Sequence, residues 1–486
     1  MKHIHFVGIG GIGMSGIAQI MLERGYVVSG SDMKSSHITE RLRLMGARVF
    51  LGHDAKNIEG SDTVVYSTAV SESNVEVKAA IDAGIRVIKR AEMLGILMNK
   101  SKGIAVAGTH GKTTTTSMIS YVFRYNGINP TVVIGGELSA ISSNASSGTD
   151  SHIIAEADES DASFLFLSPE TAVITNIDSD VNLNVRPWRL YRDDPALLMS
   201  KISEAFVSFT DRISESGTAI ICADNAEARG IIKDVKRRVI TYGIIHDADL
   251  RAVNIRLHDF CSDSDVMLGG EYLGRMTLRV PGGHNVQNAL ACMAVCLNEG
   301  MTADSILRAL ASFGGLKRRF DILGTAMGVT VVDDYAHNPS KIRSAIHAAR
   351  TGDSKRVIAV CQPHRYSRTK YLKNELSESF DEADFVIITE IYGSFEKPDP
   401  EITGLMLAEL TKAKSPGKPV FYARTPAEAF AKVSEIMEEG DIVIAMGAGD
   451  ITKYTGEFYD ELCVRAEEEK AGADPVIPVP EPCLTR

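Results

Sequence analysis

The chain has 486 residues, 44% of them hydrophobic and 24% charged, and a formal net charge of −11. This composition excludes a disordered or fibrous chain, and its acidic balance argues against nucleic-acid or anionic-membrane binding, so any phosphate site must be a local basic pocket. The length predicts about three domains.

The seven cysteines are scattered and show no zinc or disulfide spacing. No apolar run reaches the roughly eighteen residues of a membrane span, and no charged-then-apolar leader precedes the first strand. A cytoplasmic protein is expected.

Residues 1–102 read as a Rossmann-like α/β domain. A strand at 3–7 runs into Gly8-Ile9-Gly10-Gly11-Ile12-Gly13, an apolar helix follows at 14–22, and a second strand at 26–32 ends in Asp32. Gly8, Gly10, Gly11 and Gly13 fit the G-x-G-x-x-G turn that admits a diphosphate, and Asp32 is placed to reach a ribose. Alone, the pattern suits NAD or any diphosphate joined to a nucleoside. Further strands are expected at 63–67 and 86–88. Thr68 and Ser71 follow the first of these, at the carboxyl end of a strand, where α/β ligands bind.

A polar link at 100–103 opens the second domain, 103–316. Its first apolar run, 103–107, leads into Gly108-Thr109-His110-Gly111-Lys112-Thr113-Thr114, and a helical pattern leads out. Strand, glycine-bounded loop and helix are the setting of a phosphate loop. Backbone N–H groups converge on the anion and the helix points its positive end at it. Lys112 would reach the terminal phosphates and Thr113 would hold Mg²⁺. The spacing is not the usual one, because Val106 stands where the first glycine belongs. The competing reading is a threonine-rich helix start capped by hydroxyls.

Glu156-Ala157-Asp158-Glu159-Ser160-Asp161 ends the next apolar run and suits a Mg²⁺-organising carboxylate, or else a solvated acidic turn. A strand at 171–176 leads to Asp178 and Asp180, and shorter strands fit 219–222 and 239–242. His284, Asn285 and Asn288 lie within one helical turn, able to meet one ligand or to cap the helix.

Residues 317–466 read as a third, again Rossmann-like unit. It opens at Arg318-Arg319-Phe320-Asp321. Its strands, at 329–334, 357–361, 385–389 and 442–445, end near Asp334 and His337, near Arg365 and Arg368, and at Asp450. That is the grammar of a parallel sheet with a site along its carboxyl edge. From 467 a Glu- and Pro-rich tail is expected to be disordered.

Taken in order, these motifs resemble the Mur ligases along nearly the whole chain. The residues that carry the likeness are 5–15, 108–116, 156–161, 284–288, 318–320, 333–337 and 362–368. The resemblance implies a three-domain ATP-dependent ligase. Its first domain would hold UDP-N-acetylmuramate with no need of NAD, its second ATP, and its third the amino acid, L-alanine. By family likeness Lys112 stabilises the transferred phosphoryl group, and Thr113 and Glu156 hold the first Mg²⁺. His284, Asn285 and Asn288 lie near the adenine and phosphates, and Arg319 and Asp334 complete the ATP site. His337, Arg365 and Arg368 face the amino acid and the sugar's carboxylate, although each arginine could instead serve a domain-interface ion pair.

One departure stands out. In the family an Asp-His pair follows the strand at 171–176, and its histidine helps hold a second metal. Here Asp180 is followed by Val181, which cannot ligate Mg²⁺, though Asp178 or Asp180 could substitute. The segment 181–192, with the chain's single tryptophan, Trp188, is a lineage-specific loop, a frame error or a true loss of a ligand. Competing functional readings are a sibling ligase that attaches a recycled peptide, a catalytically impaired UDP-sugar-binding relative, and a nicotinamide-dependent oxidoreductase.

Overall fold

The computed structural model describes residues 2–67, 70–138, 143–179, 187–352, 355–394 and 396–472. The chain forms two compact units, one of 1–257 with 261–316, the other of 258–260 with the chain from Lys317 onward. Three sheets organise the described residues, two in the first unit and one in the second.

The first sheet contains β1 (His3–Val7), β2 (Val27–Asp32), β3 (Arg48–Leu51), β4 (Thr63–Tyr66) and β5 (Arg86–Lys89) in the order β3-β2-β1-β4-β5. All its pairs are parallel. Helices α1 (Ile12–Glu23), α2 (His37–Leu44), α3 (Val75–Asp82) and α4 (Arg90–Met98) cover it. Ile4 and Phe6 on the central strand are fully buried, as a parallel strand covered on both faces requires. The order reverses at β1, so the glycine turn after it opens at the switch point.

The second sheet has the order β15-β14-β13-β12-β11-β10-β6-β9-β7-β8. Its strands are β6 (Lys102–Ala107), β7 (Thr131–Leu138), β8 (Ser143–Ser146), β9 (His152–Glu156), β10 (Thr171–Ile174), β11 (Thr218–Cys222), β12 (Arg238–Gly243), β13 (Leu250–His258), β14 (Cys261–Leu268) and β15 (Glu271–Leu278). Helices α5 (Lys112–Tyr125), α6 (Pro195–Thr210), α7 (Ala226–Ile231), α8 (Gly283–Asn298) and α9 (Ala303–Ala311) belong with it. The run β7-β9-β6-β10-β11-β12 is parallel, and its central strands β9, β6, β10 and β11 are largely buried. The β14–β15 pair is antiparallel, and β14 alternates buried with half-buried residues. That alternation belongs to a sheet with one solvated face. The sequence analysis placed no strands at 131–138 or 250–278 because polar residues there break up the apolar runs.

The first two sheets share one hydrophobic cluster, from Ile4 and Met21 through Ala107 to Phe206 and Phe209. Polar contacts reinforce it. Arg24 Nη2 donates to Thr131 Oγ1 at 3.1 Å, and the Ser147 N–H donates to Glu23 Oε2 at 2.8 Å. The described end of the unusual segment is part of this core. Trp188 is 1% exposed and clusters with Phe164, Phe206 and Phe209, so residues 187–192 behave as folded structure.

The second unit holds β16 (Asp321–Ala326), β17 (Val329–Asp334), β18 (Val357–Cys361), β19 (Phe385–Thr389), β20 (Val420–Ala423) and β21 (Ile442–Met446) in the order β16-β17-β21-β18-β19-β20. Only the β16 pairing is antiparallel. Helices α10 (Pro339–Arg350), α11 (Tyr366–Ser377), α12 (Gly404–Lys414), α13 (Pro426–Ile436) and α14 (Ile451–Gly472) pack around it. Helix α14 corrects the expected end of structure at 466, since it continues to Gly472. Glu, Lys and Ala in its last turns are strong helix formers, and this local propensity extends the helix beyond the packed part.

Glu76 on α3 is fully buried beneath the first sheet. It accepts from Ser31 Oγ at 2.5 Å and Asn57 Nδ2 at 2.6 Å, with His53 Nδ1 at 3.0 Å and His5 Nε2 at 3.8 Å. Burial raises its pKa, but His5, Ser31 and Asn57 outweigh that and bring it down from 4.5 to about 2. A depressed folded value stabilises above the unfolded pKa, and the stability is lost as pH falls towards the folded one. The expected contribution is of the order of 3 kcal/mol. Thermal unfolding should therefore show a steep loss of stability below about pH 4.5 that Glu76→Gln flattens. Parallel pH profiles for the two proteins would refute this.

Candidate functional site

The phosphate loop leaves β6 at Ala107 and turns on two glycines in the left-handed region, Gly108 at φ +130° and Gly111 at φ +82°. Gly111 caps α5 with no side-chain hydrogen bond, and Gly282 caps α8 in the same way. Both helices thus present first-turn N–H groups that an anion can take.

The end of β10 straps the loop down. Thr175 Oγ1 donates to the His110 carbonyl at 2.6 Å, and Asn176 exchanges two hydrogen bonds with the His110 backbone at 2.8 and 3.0 Å. Thr109 Oγ1 accepts from the Asp178 N–H at 2.9 Å. The Asp178 carboxyl is held below its ordinary range, chiefly by His110, 3.7 Å away. Thr113 and Thr114 occupy the first turn of α5.

Two buried asparagines fix α8 against this loop. Asn288 Oδ1 accepts from Thr115 Oγ1 at 3.2 Å, and its amide donates to Asn285 Oδ1 at 3.1 Å. Asn285 in turn donates to the Pro281 carbonyl at 2.8 Å. Gly111 is needed here as well, since a Cβ would stand 2.5 Å from Asn288 Oδ1. Asn285 and Asn288 therefore act first as struts between two helix starts. His284 lies beside them in the first turn of α8.

Lys112 folds back over its own loop. Its Nζ donates to the Gly108 carbonyl at 2.6 Å and to Glu159 Oε2 at 2.8 Å. The sequence analysis gave Glu159 no separate role. Burial pushes Glu159 up to about 7, against the lowering effect of Lys112. Burial also raises Asp158, but Lys112, the hydrogen bonds from Ser160 and Arg90 together outweigh it and the net shift is downward. Glu156 ends β9 with Oε1 buried and, among the described residues, without a hydrogen-bond partner. Asp180 and Val181 lie outside the described residues.

In the first sheet's turn, Gly8 has φ +81°, and the Gly10 N–H donates to Asp32 Oδ2 at 2.9 Å. Asp32 thus braces the turn, and Gly11 closes it by donating to the Gly8 carbonyl at 3.1 Å. Arg90, which the sequence analysis passed over, packs on Gly13, its Cδ 3.1 Å from where a Cβ would stand. It also helps lower Asp158, so it places positive charge between the glycine turn and the acidic motif. Its only signal in the sequence is a basic pair after a strand. Ser71 is exposed and bonded to Ser73 Oγ at 2.7 Å, and Thr68 lies outside the described residues.

In the second unit Asp334 accepts from the N–H groups of Phe320 at 2.7 Å and Ala336 at 2.6 Å. It ties the Arg318–Phe320 turn, where Arg318 and Phe320 have positive φ, to the end of β17. Arg318 and Arg319 lie 4.9 and 5.1 Å from the Tyr335 ring centre. His337 Nδ1 lies 2.6 Å from the Tyr335 carbonyl, and burial holds its pKa well below the usual value. The imidazole is therefore neutral, with Nε2 left as an acceptor. Arg368 Nη1 is 3.1 Å from His364 Nδ1, and Arg365 Nε is buried without a hydrogen-bond partner among the described residues. His364 stacks on Tyr392, and burial with Arg368 lowers it to about 4. Asp450 accepts from the Gln362 amide at 2.7 Å and so pins α14 to the end of β18.

Three domain families match in order. The Mur ligase family catalytic domain matches 3–102, the Mur ligase middle domain 106–180 and 197–296, and the Mur ligase glutamate ligase domain 318–449. The middle-domain match passes over 181–196, the stretch that holds Val181 and Trp188. A UDP-N-acetylmuramate–L-alanine ligase of Trichlorobacter lovleyi is 45% identical, covering 93% of this chain and 97% of that protein. One from Geotalea daltonii is 44% identical over 95% and 98%. The solved UDP-N-acetylmuramate-alanine ligase of Thermotoga maritima superposes with a TM-score of 0.78 at 27% identity, over 96% of this chain and all of that one.

The loop's need for glycine is testable. A Cβ at Gly108 would stand 2.1 Å from Thr175 Oγ1 and 2.9 Å from the Asn176 carbonyl oxygen. Gly108→Ala is expected to weaken ATP binding by about tenfold or more in calorimetric titration. Unchanged affinity would show that this backbone does not shape the site.

Proposed function

This chain belongs to the Mur ligase family, and we propose that it joins L-alanine to the lactyl carboxylate of UDP-N-acetylmuramate, with ATP converted to ADP and phosphate, in peptidoglycan precursor synthesis. The observation that carries this reading is the 45% identity, over nearly the full length of both chains, to relatives named for that reaction. The glycine-bounded loop with Lys112 supplies the chemistry to go with it.

The reaction has two steps. A lactyl carboxylate oxygen attacks the γ-phosphorus and ADP leaves, giving an acyl phosphate. The alanine amine then attacks the acyl carbon, an amide forms, and phosphate departs with the electron pair of the C–O bond. Neither step requires a protein nucleophile. Catalysis of this kind is positioning and charge neutralisation.

Lys112 and the N–H groups of Gly111, Lys112 and Thr113 hold the phosphates, with the rest of the loop, Gly108 to Thr114, shaping the seat. Asn285 and Asn288 set the start of α8, with His284, beside the nucleotide. The buried oxygen of Glu156, unpartnered among the described residues, and the Thr113 hydroxyl form an oxygen donor set that fits Mg²⁺. When bound, Mg²⁺ would neutralise phosphate charge.

The glycine turn at Gly8, Gly10, Gly11 and Gly13, braced by Asp32, receives the UDP diphosphate, with Arg90 as an added positive group. In the second unit Arg365 and Arg368 offer guanidinium forks to a carboxylate, and neutral His337 offers Nε2 to the incoming amine. Arg319 and Asp334 serve phosphoryl transfer. The proposed domains are 1–102 for the UDP-sugar, 103–316 for ATP and, from 317 to the end of α14 at Gly472, the amino-acid domain. Among the described residues no helix is long and apolar enough to cross a membrane. Nucleotide substrates place the reaction in the cytoplasm.

Phosphate release measured with ATP, Mg²⁺ and UDP-N-acetylmuramate should depend on L-alanine and fall by about a thousandfold in Lys112→Ala. A rate that responds to a tripeptide and not to L-alanine would favour the recycling ligase. Nucleotide binding without turnover, restored by Val181→His, would mark loss of the second metal ligand.

A further inference from the structure

Glu159 has no part in the reaction as written, yet it is the closest charged partner of the lysine that reaction depends on. Its side chain is 3% exposed, and that of Lys112 is 16% exposed. Behind it, the Trp188 indole N–H donates to the Glu159 backbone carbonyl at 3.1 Å. Trp188 comes from the stretch that the middle-domain family match passes over. Lys112 is thus tied to its own loop at Gly108 and to Glu159, and Glu159 is tied to a buried ring peculiar to this segment.

We propose that Glu159 stands in for nucleotide phosphate. It clasps Lys112 while the phosphate loop is empty, releases it to the terminal phosphates of ATP and recaptures it as phosphate leaves, with Trp188 keeping Glu159 in reach. This inference rests on the assignment of the loop to ATP.

The argument is one of exclusive partnership. An ammonium group drawn into a polyphosphate cannot keep its buried bond to Glu159, and a buried carboxylate stripped of its counter-charge is strongly destabilised. The groups around it are Lys112 from α5 and Asp158 on its own loop, with Glu156 near Lys112 and Arg90 from α4 near Asp158. Asp158 adds to the burial that raises Glu159. Once Lys112 leaves, Glu159 therefore takes a proton from solvent onto a carboxylate oxygen. Proton uptake on binding means that affinity for nucleotide falls as pH rises above about 7. The clasp also disfavours ligands too weakly charged to displace a carboxylate, and it eases product release.

The test is titration of the full chain with MgATP at about pH 8 in buffers of different ionisation enthalpy. Wild type should take up close to one proton per nucleotide, and Glu159→Gln should take up none and bind about tenfold tighter. Trp188 is the only tryptophan, so its emission should shift on binding in wild type and shift less in Glu159→Gln. Trp188→Phe keeps an aromatic ring but loses the N–H, and it should tighten binding in the same direction by a smaller factor. Wild-type binding without proton uptake overturns the clasp, even if Glu159→Gln fails to fold. So does equal or weaker binding by a folded Glu159→Gln. Wild type that binds no ATP overturns both the clasp and the loop assignment, whereas binding with an unresponsive variant overturns the clasp alone.

Discussion

A charged amine held almost out of water is the constraint around which the middle domain is built. An ionised group in a dry place needs a counter-charge or a bond at every turn. Glu159, the Gly108 carbonyl and the nearby Asp158 provide this. The rest of the site follows from keeping that amine beside a loop that opens the helix α5. Two left-handed glycines make the loop, Thr175 and Asn176 hold it to β10, and the Asn285–Asn288 pair locks the second glycine-capped helix against it.

The same economy joins the first two sheets. Neither buries its whole apolar face alone, and they share one hydrophobic cluster from Ile4 to Phe209. Sharing a core fixes the glycine turn of β1 relative to the phosphate loop of β6, which suits a reaction whose two large substrates must meet with little tolerance. Arg90 marks the join, packed on Gly13 and felt by Asp158. The second unit follows a different plan. Its polar residues gather along the carboxyl edge of one sheet, where Asp334 ties a strained arginine turn to β17 and burial keeps His337 and His364 neutral. Neutral imidazoles between fixed guanidiniums leave the positive charge with Arg365 and Arg368, where a carboxylate can use it.

Much of this was legible in the order of residues alone. Parallel strands buried on both faces read as unbroken apolar runs, so β1, β6, β10, β17, β18, β19 and β21 could be placed to within a residue or two, most of them followed by a polar motif. Glycines after those runs marked the two turns because only glycine adopts left-handed backbone without strain. Less legible were the short edge strand at 48–51 and the meander at 250–278, whose half-solvated faces mix polar with apolar residues.

The amino-acid sequence thus determined the family, the three α/β units, the glycine turns and the places of Lys112 at a helix start and Glu156 at a strand end, because these features are local and periodic. Tertiary structure decided which carboxylate faces the lysine, that Asn285 and Asn288 are struts, that Asp32 braces its own turn, and that Trp188 reaches across 29 positions to Glu159. Such partnerships depend on how distant segments pack and on how much water is left between them, and neither quantity is written in the spacing of residues along a chain.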